Sequence, residues 1–277
     1  MRCMNSALSA KMVIEMAHVG AIFALVVVPA IQYGGVMMDP RAMDPYGQAL
    51  LAYLNGDTLA SFVVRRDDGH ADDLPVSVFF DGPDDFSEID RMALSLCTGR
   101  VLDIGAGAGR HSLVLQERGV EVLAIDVCSQ AIEVMRRRGV RECRCADLFE
   151  MEAEQFDTLL LMMHGVGMVE DLVGLDRFLD HAHSLVGPDG QILCHSLDVR
   201  FNDSPRHVAY REAIVSAGRY VGEIQMQFEY GGLVGPLFGW LHVDPETYRD
   251  HAAERGWAVE VVLQEDDGDY LARLTRS

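Results

Sequence analysis

The sequence has few basic side chains. Lysine and arginine together number 23 of the 277 residues, against 43 aspartates and glutamates, and the formal net charge is −20. Binding to DNA or RNA rests on basic groups that neutralise phosphates and release counterions, so we expect no nucleic-acid partner. The local run Arg136-Arg137-Arg138 has helical spacing, which is typical of a solvated helix face.

Cysteines are also few and irregularly spaced. The six cysteines do not form the framework of a small disulfide-stapled secreted domain, and reduced thiols in the cytoplasm fit the pattern better. Cys143 and Cys145 belong to a short predicted strand, where alternation places both thiols on one face. Nothing nearby completes a second pair of metal ligands. We therefore expect buried strand cysteines, a cytoplasmic location and no metal site.

The chain lacks an apolar run long enough to span a bilayer comfortably. The run at residues 19–31 follows basic residues and resembles the apolar core of a signal peptide, but no clear cleavage site comes after it. We expect no membrane partner. We interpret residues 1–37 as an N-terminal extension, with Met37 or Met38 as the expected start of the protein and a signal-like leader as the alternative.

Strand and helix patterns alternate from residue 100 onwards. Short apolar runs typical of buried strands are followed by segments of helical periodicity. Repeated βα units with apolar strands indicate a parallel sheet that helices cover on both faces. The predicted strands are 101–104, 121–125, 142–145, 158–163 and 191–196, and the predicted helices are 111–118, 129–138 and 172–185.

The C-terminal end of the sequence breaks this alternation. A helix is predicted over residues 245–255, and strands over 259–263 and 270–274. The connection between these two strands is short enough to force antiparallel pairing. We therefore predict one large α/β domain whose mostly parallel sheet ends in an antiparallel hairpin, unlike a purely parallel dinucleotide-binding fold.

Two segments lie outside the repeated units. Residues 39–85 contain a short predicted helix at 46–54 and an acidic turn or loop at 65–73. Residues 198–244 form a long insertion with a predicted hairpin around Gly231-Gly232. Insertions at the carboxyl ends of strands often carry substrate specificity, so this one is either part of a substrate pocket or a solvated flap over the core.

A glycine-rich turn connects the first predicted strand of the repeated units to its helix. The glycines of Gly105-Ala106-Gly107-Ala108-Gly109 permit a tight turn and a close approach of the backbone to a ligand. The dinucleotide fingerprint has a small residue at its sixth position, where this chain has Arg110, and Asp103 precedes the first glycine. Both details favour S-adenosylmethionine over a nicotinamide cofactor.

The stretch 101–109 resembles the first motif of class I S-adenosylmethionine-dependent methyltransferases, and the resemblance extends in order from about Asp84 to the C-terminus. It implies a Rossmann-like, doubly wound α/β fold with a mostly parallel seven-stranded sheet and a C-terminal antiparallel hairpin. It also implies that S-adenosylmethionine binds to the glycine-rich turn and to the ends of the neighbouring strands. The implied cofactor-binding residues are Asp103, Gly105, Ala106, Gly107, Gly109, Asp126, Val127, Asp147, Leu148 and His164.

Three of these residues have specific implied roles. Asp126 ends the second strand and corresponds to the acidic residue that accepts hydrogen bonds from both ribose hydroxyls. Val127 would lie against the adenine. Asp147 follows the third strand and corresponds to the residue that binds the adenine amino group beside Leu148, and a helix N-cap is the alternative role for this aspartate.

The segment after the fourth strand, residues 163–167, faces the reacting methyl group in similar enzymes. His164 is therefore the candidate catalytic residue, which would orient an acceptor or take a proton, and a structural role is the alternative. Residues 39–85 correspond by analogy to a lid over the cofactor. Further candidates for the acceptor pocket are His195, Asp198, Tyr230 and His242, together with the aromatic residues Tyr46, Phe79, Phe80 and Trp240, for which core packing is the alternative.

The expected activity is transfer of a methyl group from S-adenosylmethionine to a small molecule at O, N or C. An activated sulfonium needs mainly to be held in contact with its acceptor, so we do not expect a recognisable catalytic dyad. A protein acceptor is an alternative. A second alternative is a non-catalytic module on the same fold that binds S-adenosylmethionine or a partner. A more distant alternative is a nicotinamide oxidoreductase. Nothing in the sequence indicates the oligomeric state.

Overall fold

The computed structural model describes residues 39–277, so the predicted N-terminal extension at 1–37 lies outside the described residues. None of the helices in the described range is long and apolar enough to cross a membrane. The strands are β1 (Ser61–Arg66), β2 (Ala71–Pro75), β3 (Arg100–Ile104), β4 (Glu121–Asp126), β5 (Cys143–Cys145), β6 (Phe156–Leu161), β7 (Val186–Leu197), β8 (Glu223–Tyr230), β9 (Leu233–Val234), β10 (Phe238–Leu241), β11 (Trp257–Gln264) and β12 (Asp269–Arg276). The α-helices are α1 (Asp44–Leu54), α2 (Glu88–Leu96), α3 (Arg110–Glu117), α4 (Ser129–Arg138), α5 (Leu172–Leu185), α6 (Pro205–Ser216) and α7 (Pro245–Glu254).

Seven strands form the main sheet, in the order β11-β12-β7-β6-β3-β4-β5. The pairs from β7 to β5 are parallel, whereas β12 pairs antiparallel with both β7 and β11. The predicted fold class is thus confirmed: a Rossmann-like, mostly parallel sheet that ends in an antiparallel hairpin.

Side chains of the central strand β3 alternate between two apolar layers. Leu102 and Ile104 pack in a cluster with residues of α5 and α7, whereas Val101 packs in a second cluster with residues of α2 and α3. All three side chains are at most 2% exposed. Helices therefore cover both faces of the main sheet, which explains why its strands are continuously apolar.

The parallel strands of the main sheet all end at the same edge of the sheet. The carboxyl ends of β3, β4, β5, β6 and β7 lie there because these strands run in the same direction. β12 runs in the opposite direction, so its first residue, Asp269, also lies there, paired with Leu197 at the end of β7. We refer to this as the carboxyl edge, and in α/β folds it is the edge at which ligands bind.

A second, small sheet consists of β1, β2, β8, β9 and β10. It joins the segment before the main sheet to the insertion after β7, because β1 pairs antiparallel with β8 and Val63 lies opposite Glu229. The hairpin predicted around Gly231-Gly232 is confirmed as the turn between β8 and β9. The insertion also contains α6, which the sequence patterns did not indicate.

Three sequence-based interpretations need correction. Residues 65–73 are not all turn or loop, since they include the end of β1 and the start of β2, whose polar side chains are mostly exposed and hide the strand pattern. Cys143 is half-buried and Cys145 is exposed because β5 is an edge strand of the main sheet. Arg138 is not part of a solvated face, since its guanidinium donates to the carbonyl oxygen of Ala108 at 2.7 Å.

Candidate active site

The glycine-rich turn leaves the end of β3 and leads into α3. Gly105, Gly107 and Gly109 have φ values of +68°, +57° and +78°, in the left-handed region that favours glycine. A Cβ at Gly109 would lie 2.7 Å from Val140, and one at Gly107 would lie 2.5 Å from the hydroxyl oxygen of Tyr46. The turn therefore requires glycine for its conformation and for close packing, as the sequence predicts.

Asp126 at the end of β4 holds this turn in place. Its Oδ2 accepts a hydrogen bond from the Gly107 amide at 2.9 Å, and its Oδ1 accepts one from the Cys128 amide at 2.8 Å. Burial raises the pKa of Asp126 to about 6, and the two backbone amides only partly oppose this rise. The carboxylate thus lies directly beside the glycine-rich turn. One of its oxygens is bonded to this turn and the other to the segment that follows β4.

The other two predicted carboxylates have local partners. Asp103 is buried beneath the turn, accepts a 2.6 Å hydrogen bond from the Ser112 hydroxyl, and has a pKa raised by burial. Asp147 follows β5, and its Oδ1 accepts from the Phe149 amide at 2.8 Å. This bond is the N-cap that we gave as the alternative role of Asp147, so its contact with adenine stays a prediction. Leu148, beside it, is buried.

Two arginines that the sequence analysis did not assign to the site tie it to the segment before the main sheet. Arg110, the first residue of α3, is 7% exposed and donates to the Val78 carbonyl at 2.8 Å and to the Asp90 carboxylate at 2.6 Å. Arg138, at the end of α4, stacks on the Phe80 ring at 4.6 Å while it bonds Ala108. Both guanidiniums therefore connect the glycine-rich turn to residues 76–80.

The aromatic candidates lie in three places. Tyr46 and Phe79 lie next to Gly107, with their ring centroids 5.2 Å apart. Phe80 instead packs on Tyr53, with 4.5 Å between centroids. Trp240 of β10 lies against the backbone at Gly167, in the turn that contains His164. The small sheet therefore borders the His164 turn directly, and it borders the glycine-rich turn through Tyr46 and Phe79, whose rings pack on Phe62 of β1.

His164 lies in a strained turn after β6. Met163 and His164 have φ values of +54° and +58°, which are uncommon for residues other than glycine. Such outliers often occur at functional sites, where the rest of the structure holds them in place. The turn presents the imidazole to Asp269, and His164 Nε2 lies 2.6 Å from Asp269 Oδ1.

Two further histidines join this pair, and we call the resulting group of His164, His195, His242 and Asp269 the histidine cluster. The ring centroid of His164 lies 4.4 Å from that of His195 and 5.3 Å from that of His242. His195 Nε2 lies 3.4 Å from Asp269 Oδ1. The structure thus gathers three of the predicted pocket histidines at the carboxyl edge, together with a carboxylate that sequence reasoning missed.

The cluster places three imidazoles around one carboxylate. Burial lowers the pKa of His195, and burial together with the neighbouring His164 lowers that of His242 to about 3. Burial raises the pKa of Asp269, but the adjacent imidazoles of His164 and His195 outweigh it and bring this pKa below its ordinary value.

The remaining two pocket candidates lie apart from this cluster. Asp198 caps the short helix at 199–201 and pairs with Arg200 at 2.8 Å, so its carboxylate is occupied by a neighbour. Tyr230 ends β8 in the small sheet and is partly buried against its aromatic interior.

The carboxyl edge therefore fits the predicted cofactor. A buried carboxylate stands beside the glycine-rich turn, as a cofactor with two ribose hydroxyls would require. Leu148 is buried and Val127 is partly buried, and their contact with an adenine ring stays a prediction.

Comparisons with known proteins agree with this geometry. Residues 83–261 match the family described as methyltransferase domain. The fold is similar to that of an S-adenosylmethionine-dependent methyltransferase from Bacteroides fragilis in complex with S-adenosyl-L-homocysteine, with a TM-score of 0.76 and 32% identity over 87% of this chain and 98% of that one. It is also similar in fold to the CcbJ methyltransferase from Streptomyces caelestis, with a TM-score of 0.52 and 12% identity over 70% of this chain and 94% of that one.

No curated protein sequence matches the chain significantly. The family match covers well over half of the sequence, and the Bacteroides structure is similar over nearly the whole of its own length. The chain therefore belongs to the methyltransferase-domain family and is an S-adenosylmethionine-dependent methyltransferase.

Proposed function

We propose that the protein methylates a small-molecule acceptor in the cytoplasm at an O, N or C atom, by in-line displacement. One observation carries this proposal: the glycine-rich turn, Asp126 and the His164 turn lie at one edge of the main sheet, and the small sheet with the aromatic residues packed on it borders both turns. A donor held at the turn and an acceptor held beneath the small sheet would meet at that edge. The bound cofactor supplies a sulfonium methyl group that needs no further activation.

On the cofactor side, each proposed residue has a separate task. The Asp126 carboxylate accepts hydrogen bonds from the ribose hydroxyls, and Asp147 binds the adenine amino group through the oxygen that its N-cap leaves free. Val127 and Leu148 pack against the adenine. Gly105, Ala106, Gly107 and Gly109 bring the backbone close to the ligand, and Asp103 supports the turn from below through Ser112.

Residues 39–85 form the lid over the cofactor, and residues 198–244 form the wall of the pocket on the acceptor side. Both contribute strands to the small sheet, whose interior contains Tyr46, Phe62 and Phe228. An apolar, aromatic interior beside a cofactor suits a small organic molecule better than an extended basic peptide, which would need an acidic groove. His164 is the proposed catalytic residue, because its turn lies where the acceptor would meet the methyl group.

Calorimetric titration of the full chain with S-adenosylmethionine, S-adenosylhomocysteine and NAD tests the cofactor assignment. We expect binding of the first two and none of NAD. Gly107→Ala should weaken cofactor binding on the order of tenfold, because the new methyl group strains a left-handed position and meets the Tyr46 hydroxyl, which distorts the turn. Gly187→Ala is the matched control, since its Cβ meets only one ordinary contact at 3.8 Å.

A screen of small acceptors, read by S-adenosylhomocysteine formation, tests the rest of the proposal. His164→Ala should keep the affinity for the cofactor and lose turnover with any acceptor that the screen identifies. Equal loss of cofactor affinity would place His164 on the cofactor side. Turnover of a protein substrate with no small molecule active would refute the acceptor class.

A further inference from the structure

We propose that His164, His195 and Asp269 bind a divalent transition-metal ion that holds a hydroxyl group of the acceptor at the carboxyl edge. Binding of the ion follows from the geometry of these three side chains alone. Its role toward the acceptor rests on the proposed function.

The three donor atoms are already close to a coordination sphere. One nitrogen from each imidazole and one carboxylate oxygen all lie within 4.8 Å of one another. His164 Nε2 and His195 Nε2 are 2.6 Å and 3.4 Å from Asp269 Oδ1. Around a zinc-sized ion with bonds of about 2.0–2.2 Å, the donor atoms of tetrahedral ligands are roughly 3.3 Å apart. The distance between His164 Nε2 and Asp269 Oδ1 therefore has to increase by less than ~1 Å.

The cluster contains buried nitrogens that no neighbour satisfies. Within residues 39–277, Nδ1 and Nε2 of His195 and Nδ1 of His242 are buried without a hydrogen-bond partner. Buried polar atoms in native proteins nearly always have a partner, because leaving one unpaired costs free energy. Coordination of an ion by the His195 ring would satisfy one of these nitrogens directly.

Three separate elements hold the donors in position. His195 lies within β7, opposite Leu271, and Asp269 starts β12, opposite Leu197. His164 is presented by the left-handed turn after β6. Because two donors belong to paired strands and the third to a constrained turn, the set is preorganised, which is what a metal site requires.

The donor set also indicates which kind of ion fits. Two imidazoles and one carboxylate with open positions suit divalent iron, zinc, cobalt or manganese, whereas magnesium and calcium prefer oxygen donors. His242 is a third imidazole at the border of the set, with its ring centroid 5.3 Å from that of His164.

The open positions give the ion a chemical role. An acceptor hydroxyl that coordinates there loses its proton to solvent more readily, because the cation stabilises the anion. The anionic O then attacks the methyl carbon, the new O–C bond forms, and the C–S bond of the sulfonium breaks. The electron pair of that bond stays on sulfur, and neutral S-adenosylhomocysteine leaves.

The test is metal titration of the full chain after treatment with EDTA, using Zn²⁺ in calorimetry and Co²⁺ in visible absorption. We expect one ion per chain and a Co²⁺ spectrum typical of nitrogen and oxygen ligands. His195→Ala and Asp269→Asn should each weaken binding by at least tenfold, with folding checked by circular dichroism. His195→Gln serves as a second variant of similar size.

His251→Ala is the matched control. His251 Nδ1 lies 2.7 Å from Asp176 Oδ1, a histidine–aspartate pair without a second imidazole, so its loss should leave metal affinity unchanged. Absence of Zn²⁺ and Co²⁺ binding, or equal binding by the His195 and Asp269 variants, would overturn the metal site and leave methyl transfer untouched. Metal binding by a chain that does not bind S-adenosylmethionine would support the site and refute the proposed function.

Discussion

The two sheets of this protein differ in how they are buried. Strands of the main sheet such as β3, β4 and β6 are almost wholly buried, with aliphatic side chains on both faces. In the small sheet, β1, β2 and β8 each have at most one buried residue, and the buried interior is aromatic, with Tyr46, Phe62, Phe228 and Phe238 in contact.

This difference separates two tasks. A sheet covered on both faces is a fixed platform, which suits a cofactor that is the same for every enzyme of the family. A sheet buried on one face has interior positions that can change size without disturbing the platform, which suits the acceptor side. The variants below test whether the two regions are energetically separate, from the largest expected effect to the smallest.

Phe62→Ala should cause the largest change. The Phe62 side chain is 1% exposed and sits among Tyr46, Phe79 and Phe228, so truncation should cost about 3–5 kcal/mol. If the sheets are separate, hydrogen exchange should accelerate in the small sheet and stay unchanged in the main sheet. Phe178→Ala, at an equally buried site under the main sheet, should instead lower stability throughout. The same exchange pattern in both variants would show one cooperative unit.

Asp126→Ala should weaken S-adenosylmethionine binding by on the order of 100-fold. The variant removes a charged acceptor for two ribose hydroxyls, and each hydrogen bond to a charged group contributes about 1.5–3 kcal/mol at most. Calorimetry measures the effect directly. Asp176→Ala removes a carboxylate that pairs with His251 and Arg255 away from the site, and its affinity should match the parent protein.

The affinity for the cofactor should fall about tenfold when the pH is lowered to one unit below the pKa of Asp126. The pKa of Asp126 is about 6 in the folded chain, so affinity should be constant above that pH and fall about tenfold at one pH unit below it. Because the pKa of Asp126 is higher in the folded chain than its ordinary value of 3.8, protonation of this group between pH 6 and pH 3.8 raises the free energy of unfolding. Weaker cofactor binding in that pH range would therefore not result from unfolding caused by Asp126. A flat profile in the parent protein would refute the ribose role.

Arg138→Met should have the smallest effect. It keeps an unbranched side chain against Phe80 but removes the hydrogen bond to Ala108, a contribution of about 1–2 kcal/mol. Since this bond links the segment 76–80 to the glycine-rich turn, we expect a several-fold faster release of S-adenosylmethionine in stopped-flow measurements. Arg136→Met, at an exposed position of the same helix, should leave the release rate unchanged.

The predictions that the structure confirms rest on local patterns. The bounds of α4 and α5 match the predicted ranges, because capping residues and helical periodicity are written within the segments themselves. The glycine-rich turn could be recognised in the same way, since left-handed backbone needs glycine at fixed positions.

The missed features depend on contacts between distant residues. Asp269 comes 105 residues after His164, and no local pattern marks it as a partner. Its position could have been found only from the antiparallel direction of β12, which places the start of that strand at the carboxyl edge. Likewise, β1 and β2 were hidden because β1 pairs with β8 across at least 160 residues, and because the polar residues of both strands lack the usual alternation.

The sequence by itself determined the fold class and the cofactor, because apolar periodicity and glycine spacing act over a few neighbouring residues. Only the tertiary structure decided that residues 39–85 and the insertion share one small sheet, and that three histidines and Asp269 meet at the carboxyl edge. The physical reason is that strand pairs and side-chain clusters form between segments that are far apart in the sequence, and neither segment alone contains a pattern that identifies its partner.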